Sequence, residues 1–126
     1  MGEAIGYEGR AYGANFFGGG CINLLRHPRW GRSQETFGED HFHIGRMAAG
    51  LVRGVQNHMM CCAKHFAGNS IDTSRQYVNV KMDMRTLHEI YLPHFKACVD
   101  AGTASIMSAY NRLNGAYCSH SPWLLQ

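Results

Sequence analysis

Short apolar segments alternate along this chain with segments of helical periodicity, and no other feature restricts the fold as strongly. The apolar segments cover residues 13–25, 59–63 and 104–109. Between them, apolar side chains recur at the spacing of one helix face over residues 44–55 and 87–98. Strands that alternate with helices form parallel sheets covered by helices. The sequence therefore predicts an α/β fold of about three strand–helix units with parallel strands.

Individual residues mark the ends of the predicted helices. Asp40 and Asp83 each precede a helical segment, where a carboxylate can accept hydrogen bonds from free backbone N–H groups. Gly102 suits the end of the second helix. Pro93 lies inside that helix and predicts a kink, because proline lacks the N–H that the helix needs. Ser121-Pro122 is a pair typical of a helix start.

The composition is that of a globular protein of one domain at most. Among 126 residues, 45% are hydrophobic and 17% charged, and 12 basic against 9 acidic residues give a formal net charge of +3. This small excess does not indicate a nucleic-acid partner. No apolar run indicates a membrane span, and the first residues lack the pattern of a signal peptide, so the compartment is not determined. The odd number and spacing of the five cysteines favour buried free thiols.

Polar residues follow each predicted strand, where α/β folds place their functional loops. The first of these loops, residues 26–40, contains arginines whose planar fork can hold two neighbouring hydroxyls or a carboxylate. It also contains Trp30, whose flat face can lie against a sugar ring. A salt-bridged surface loop without a ligand is the structural alternative.

Two shorter loops follow the second and third strands. Residues 64–69 begin with Lys64 and His65, two donors that a strand end can hold toward one ligand. A solvated lysine and a core histidine fit the same pattern. Residues 110–115 begin with Tyr110 and end in an Asn-Gly turn. The phenol of Tyr110 can donate to an oxygen or pack beneath a reacting centre, and the alternative is an ordinary strand-end tyrosine.

Other reaction classes find little support in the sequence. His41 and His43 are two positions apart at a helix start, so they do not share a helix face as metal ligands would. Glu39 and Asp40 are neighbours whose side chains diverge, which is poor geometry for a general acid and base. No Gly-x-Ser-x-Gly elbow indicates a nucleophilic triad. We therefore expect no metal or other cofactor, and elemental analysis would test the hypothesis of a metal-dependent hydrolase.

Four sequence blocks are similar to one family of enzymes. NLLRHPRWGR at residues 23–32, followed by ETFGED at 35–40, resembles the signature loop of glycoside hydrolase family 3, the β-glucosidase and β-xylosidase family. AKHFAGN at 63–69, RTLHEIYLPHF at 85–95 and MSAYNRLNG at 107–115 resemble three more segments of that family. The blocks occur in the family's order and together extend over most of the chain.

This resemblance implies that residues 1–126 are part of an N-terminal (β/α)8 TIM-type barrel that hydrolyses β-glycosides from the non-reducing end with retention. It also implies roles for individual positions. The positions that match sugar-binding residues of subsite −1 are Arg32, Lys64, His65, Tyr110 and Arg75. Tyr110 would lie near the nucleophile. Glu35 and Asn69 would brace the binding residues.

The chain departs from the family in lacking both catalytic carboxylates. The Ser-Asp-Trp-like block that carries the nucleophile does not occur in it, and the family's acid/base comes from a later domain or loop. We therefore expect a segment of a retaining β-glycosidase that is inactive alone and that self-associates or pairs with the rest of the barrel. The alternative is a non-catalytic carbohydrate-binding or assembly module of the same fold. The sequence does not indicate which sugar or linkage is preferred.

Overall fold

Three parallel strands form the larger of two sheets in the computed structural model, which describes residues 1–126. The two sheets together contain six strands, which are β1 (Phe16–Cys21), β2 (Met60–Phe66), β3 (Asn79–Val80), β4 (Ser105–Ser108), β5 (Arg112–Leu113) and β6 (Ala116–Tyr117). The helices are α1 (Gly2–Ala11), α2 (His41–Val55), α3 (Met84–Thr86), α4 (Pro93–Asp100) and α5 (Pro122–Leu125). The larger sheet has the order β1-β2-β4 with both strand pairs parallel. The predicted parallel α/β arrangement is thus confirmed.

Helices α2 and α4 pack against this sheet. Each of them connects two neighbouring parallel strands, and such a connection has to cross a face of the sheet. Helix α2 lies between β1 and β2 in the chain, and α4 lies between β2 and β4. Their apolar faces and the strands form one core, whose buried residues are Ile22, Leu24, Ile44, Ala48, Val52, Val55, Met59, Cys61, Ala63, Phe95 and Cys98. This packed layer fixes the carboxyl ends of the three strands along one edge, where α/β folds carry their sites.

All five cysteines are buried and none is bonded to another, as the sequence predicts. Burial raises the pKa of Cys61 to about 11 and the pKa of Cys98 to about 12. Thiols that stay protonated at neutral pH behave as small apolar side chains. The cysteines therefore contribute to packing in this fold.

The residues predicted to end helices lie where expected. The carboxylates of Asp40 and Asp83 accept hydrogen bonds from backbone N–H groups of the first turn, at 2.6 and 2.7 Å. Gly102 follows α4 with a φ of +83°, which glycine adopts without strain. The second predicted helix is interrupted, because a π-helical turn over Leu87–Tyr91 ends before Pro93 begins α4.

The sequence pattern gives no prediction for the residues before 13, and α1 occupies that segment. Its buried positions are glycines, and a Cβ at Gly6 would lie 2.9 Å from the carbonyl oxygen of Val55. On the facing helix α2, a Cβ at Gly54 would lie 2.5 Å from the backbone nitrogen of Glu3. Because glycines form this helix contact, the periodicity of hydrophobic side chains does not reveal it.

The strand boundaries differ from the predicted ones. Strand β1 covers only Phe16–Cys21 of the predicted segment 13–25, and Gly13, at the start of that segment, has a positive φ of 86°. Strand β2 extends beyond its predicted end to Phe66. Lys64 and His65 therefore lie in the strand itself and not in the loop after it.

A second, smaller sheet has no counterpart in the sequence predictions. It has the order β3-β5-β6, with β5 parallel to β3 and antiparallel to β6. The loop predicted over residues 110–115 thus contains β5, while its predicted Asn-Gly turn joins β5 to β6 with φ of 50° at Asn114 and 99° at Gly115. Helix α5 begins at Pro122 as predicted, but the Ser121 side chain makes no capping hydrogen bond. None of the helices is both long and apolar enough to cross a membrane.

Candidate functional site

Four of the predicted site residues meet at the carboxyl ends of the parallel strands. Arg32 lies in the loop after β1, and its Nη1 is 3.0 Å from Nε2 of His65 in β2. The ring centroids of His65 and Tyr110, which follows β4, are 6.4 Å apart. The guanidinium carbon of Arg75, in the loop after β2, lies 5.6 Å from the Tyr110 ring centroid. Residues that are distant in sequence therefore build one surface.

Glu35 holds the Arg32 guanidinium at two points. Nε and Nη2 of Arg32 donate to the two carboxylate oxygens of Glu35 at 2.7 and 2.6 Å, and the 3₁₀ turn Ser33–Glu35 brings the side chains together. These hydrogen bonds lower the pKa of Glu35 and raise the pKa of Arg32. Glu35 is therefore ionised at neutral pH, and its effect is to orient an arginine whose Nη1 points to His65.

Asn23 holds His65, although the sequence pattern assigns Asn23 no role. The Asn23 side chain contacts the backbone N–H, the backbone carbonyl and ring Nδ1 of His65 at 2.8, 2.9 and 3.1 Å. Burial lowers the pKa of His65 to about 4, and the charges of Arg32 and Lys64 act in the same direction. The ring is therefore neutral at neutral pH. Only one feature of the sequence could have indicated this role: Asn23 is a polar residue inside the apolar run 21–25.

Lys64 lies beside these side chains on β2 and is half-buried. In the sheet it pairs with Cys21 of β1 and Met107 of β4. Its positive charge lowers the pKa of both His65 and Glu35, so its ammonium group is within electrostatic reach of both. The ammonium group of Lys64 makes no hydrogen bond or salt bridge within residues 1–126, and its three donors are available to a ligand.

Asp72 orients Arg75 on the other side of the surface. Nη1 of Arg75 donates to Oδ1 of Asp72 at 3.1 Å, and the sequence pattern gives Asp72 no role. Tyr110 and the Arg75 side chain are 50% and 40% exposed. Both side chains can therefore contact a ligand directly.

Asn69 and Trp30 lie outside this surface. Asn69 is buried after β2, makes no hydrogen bond to the other site residues, and has no hydrogen-bond partner at Nδ2. Trp30 is 3% exposed, so of the two alternatives for this loop the burial of its aromatic ring fits the structure, and a ring face available to a sugar does not. The ring is buried where its loop meets residues 70–73, beside a cavity of about 310 Å³.

The arrangement is an array of hydrogen-bond donors whose neighbouring carboxylates are already bound to arginines. Arg32, Lys64 and Arg75 supply the donors, and Glu35 and Asp72 are each bound to an arginine. Such donors suit a ligand with neighbouring hydroxyl groups or a carboxylate. No three His, Cys, Asp or Glu side chains are grouped as ligands of a metal ion.

Comparing the sequence with known proteins and comparing the structure with solved structures give the same result. The family model described as glycosyl hydrolase family 3 N terminal domain matches residues 1–126. A β-glucosidase from Rhizobium radiobacter is 38% identical over 126 residues, which cover 98% of this chain and 15% of that protein. A probable exo-1,4-β-xylosidase from Aspergillus clavatus is 39% identical over 140 residues, which cover 97% of this chain and 18% of that protein.

Solved structures lead to the same result. β-Glucosidase 3B from Thermotoga neapolitana, in complex with glucose, is similar with a TM-score of 0.96 and 42% identity over 99% of this chain and 18% of that one. The chain thus spans less than a fifth of the length of these relatives. Its three parallel strand–helix units are part of a TIM-type barrel, as predicted. The chain belongs to glycosyl hydrolase family 3 and lies within the N-terminal domain of that family.

Proposed function

We propose that this chain supplies part of subsite −1 of a retaining β-glycosidase that hydrolyses O-glycosidic bonds of β-glucosides or related sugars. The observation that carries the proposal is the Arg32 guanidinium, which Glu35 and His65 hold from different directions. A donor that is already fixed loses little freedom when a sugar binds, so its hydrogen bonds contribute more to affinity. Other donors around it are Lys64, Arg75 and Tyr110.

The relatives support a sugar ligand for this surface. The T. neapolitana β-glucosidase is solved with glucose, and the A. clavatus relative is a probable xylosidase. Glucose and xylose present the same ring hydroxyls, and a donor array of this kind serves either sugar. The preference between the two sugars then depends on groups outside this surface.

Hydrolysis requires groups that this surface does not offer. Retaining hydrolysis uses two carboxyl groups about 5–5.5 Å apart, one as nucleophile and one as acid/base. The two carboxylates here, Glu35 and Asp72, are each bound to an arginine. The lowered pKa of Glu35 also makes it a poor proton donor at neutral pH. The 126-residue chain alone therefore binds sugar without cleaving it.

Sugar binding can be tested by titrating the isotope-labelled 126-residue chain with glucose and following its amide NMR signals. We expect saturable shifts that are confined to the surroundings of Arg32, Lys64, His65 and Tyr110. Arg32→Gln should raise the dissociation constant about tenfold, the effect of losing a hydrogen bond from a charged donor. Arg85→Gln is the matched control, because Arg85 is exposed and its guanidinium is paired with Glu89 and not with a residue of the candidate site. Shifts that do not saturate, or that Arg32→Gln leaves unchanged, contradict the proposal.

Hydrolysis is tested separately with an aryl β-glucoside. The purified chain should release no more aglycone than a heat-treated sample of the same protein. Release above that background contradicts the statement that the chain alone is inactive.

A non-catalytic carbohydrate-binding or assembly module of the same fold is a second candidate. The observation that favours it is the engagement of both carboxylates with arginines. The two candidates differ in affinity, because a module that works by binding alone needs a complete pocket. Micromolar binding of a β-glucoside by the 126-residue chain supports the module, whereas millimolar binding supports a segment of a larger active site.

A further inference from the structure

The backbone of His65 sets the orientation of the Asn23 side-chain amide. The backbone N–H of His65 can only donate, and it lies 2.8 Å from Oδ1 of Asn23. The backbone carbonyl of His65 can only accept, and it lies 2.9 Å from Nδ2 of Asn23. Exchanging the oxygen and nitrogen of this amide would break both hydrogen bonds.

This orientation determines which nitrogen of the His65 ring carries the proton. Nδ1 lies 3.1 Å from Oδ1 of Asn23, and because Oδ1 is an acceptor, Nδ1 must be the donor. In the neutral ring, Nε2 then has a free lone pair. Nη1 of Arg32 can only donate, and it lies 3.0 Å from Nε2. Each contact along the series Asn23, His65 and Arg32 thus joins one donor to one acceptor.

We propose that Asn23 is a positioning residue that keeps His65 in the tautomer protonated at Nδ1, so that Nε2 accepts a hydrogen bond from Arg32 and holds the guanidinium toward the sugar. The effect on sugar binding rests on the proposed function, whereas the tautomer does not. In this arrangement His65 acts on the ligand through Arg32 and not as a proton donor at Nε2, which differs from the donor role that the sequence suggests.

Other side chains at this position would not meet the same requirements. Asn23 is 2% exposed and provides an acceptor for two groups of His65 and a donor for a third. Aspartate has no donor for the carbonyl of His65, and its negative charge beside the ring favours the doubly protonated form. A ring protonated at Nε2 would direct an N–H toward Arg32, where no acceptor remains.

Long-range proton–nitrogen NMR spectra of the isotope-labelled 126-residue chain report the tautomer directly, without any sugar. We expect the Nδ1–H form for His65 at neutral pH. In Asn23→Asp, the pKa of His65 should rise by about one unit or more, and the dissociation constant for glucose should rise about tenfold. Asn111→Asp is the matched control at another buried asparagine, which contacts Ala67, and it should change neither quantity.

The outcomes separate this proposal from the proposed function. An Nδ1–H ring in a chain that binds no glucose supports the tautomer assignment and contradicts the proposed function. An Nε2–H ring in a chain that binds glucose overturns the role of Asn23 and leaves the proposed function intact. An unchanged pKa and affinity in a folded Asn23→Asp variant overturn it as well. If that variant does not fold, the tautomer in the unsubstituted chain decides.

Discussion

Arg32 donates from Nη1 to Nε2 of His65 at 3.0 Å, across 33 residues of sequence. The contact joins the loop after β1 to β2, so it can form only when these strands are paired. The guanidinium is also bound by Glu35, which leaves it little freedom to turn. The candidate site therefore exists only in the folded chain, and the titration of His65 makes both the site and the stability depend on pH.

We expect the folded chain to lose stability as the pH falls from about 6.5 to about 4. Burial lowers the pKa of His65 and His94 to about 4, whereas an unfolded histidine titrates near 6.5. Between these values the unfolded chain binds the additional protons, so this part of the stability is present above the higher value and lost toward the lower one. Each ring accounts for at most about 3 kcal/mol.

Urea unfolding at several pH values measures this dependence, and His94→Leu separates the two rings. His94 lies on α4 against Gly45 of α2, and its Nδ1 has no hydrogen-bond partner. His94→Leu should therefore reduce the loss on acidification by about half. His120→Leu, at an exposed position, should leave it unchanged. An equal loss of stability in His94→Leu and the unsubstituted chain would count against this account.

Gly54→Ala and Gly50→Ala should change stability in opposite directions, although both lie in α2. A Cβ at Gly54 would lie 2.5 Å from the backbone nitrogen of Glu3 in α1, and backbone cannot move aside as a flexible side chain can. We expect Gly54→Ala to cost about 1–3 kcal/mol. A Cβ at Gly50 meets nothing within 4 Å, so Gly50→Ala should stabilise by about 0.5–1 kcal/mol. Thermal unfolding shows both effects, and similar melting temperatures for the two variants would contradict the described packing of α1.

Hydrophobic periodicity predicts those elements that bury large apolar side chains. Helix α2 places Ile44 and Val55 in the core, and α4 places Phe95 and Cys98 there, so both helices are visible in the sequence. Helix α1 packs through glycines and is not visible. The second sheet consists of strands of two residues, which are too short to show an alternation.

The candidate site is predicted only in part for a similar reason. Strand ends and family resemblance indicate residues that meet at the carboxyl ends of the strands, such as Arg32 and His65. Asn23 acts on His65, which is 42 residues away, and no local pattern contains that contact. Trp30 shows the converse case, because it is buried and lines a cavity together with residues 70–73, whose path the sequence does not reveal.

Glu35→Gln should weaken glucose binding while leaving most of the stability intact. Glutamine offers one acceptor oxygen, so Arg32 keeps only one of its two hydrogen bonds to this side chain and turns more freely. We expect the dissociation constant to rise about tenfold. The pair is partly exposed, and its loss should cost less than about 1 kcal/mol. Calorimetric titration and thermal unfolding measure the two effects.

Glu89→Gln provides the control for this substitution. It removes an exposed pair with Arg85 at 3.0 Å and should change neither affinity nor stability appreciably. If Glu35→Gln binds glucose as tightly as the unsubstituted chain does, then Glu35 does not position Arg32 for the ligand.

The open edge of β4 should cause the chain to associate with itself or with another chain of the same fold. Ile106 and Met107 are neighbours in β4 and therefore face opposite sides of the sheet, yet each is 39% exposed. β4 is also an edge strand of the larger sheet. Unpaired backbone groups beside exposed apolar side chains favour strand pairing between molecules.

Multi-angle light scattering tests this association. We expect an average mass above the 14.1 kDa of one chain. Met107→Lys should shift the distribution toward that mass, because a charge on an edge strand opposes pairing. Val99→Lys adds the same charge at an exposed apolar position on α4 and should have little effect. A sharp peak at the mass of one chain would contradict the prediction, and equal effects of the two lysines would show that association depends on net charge and not on the β4 edge.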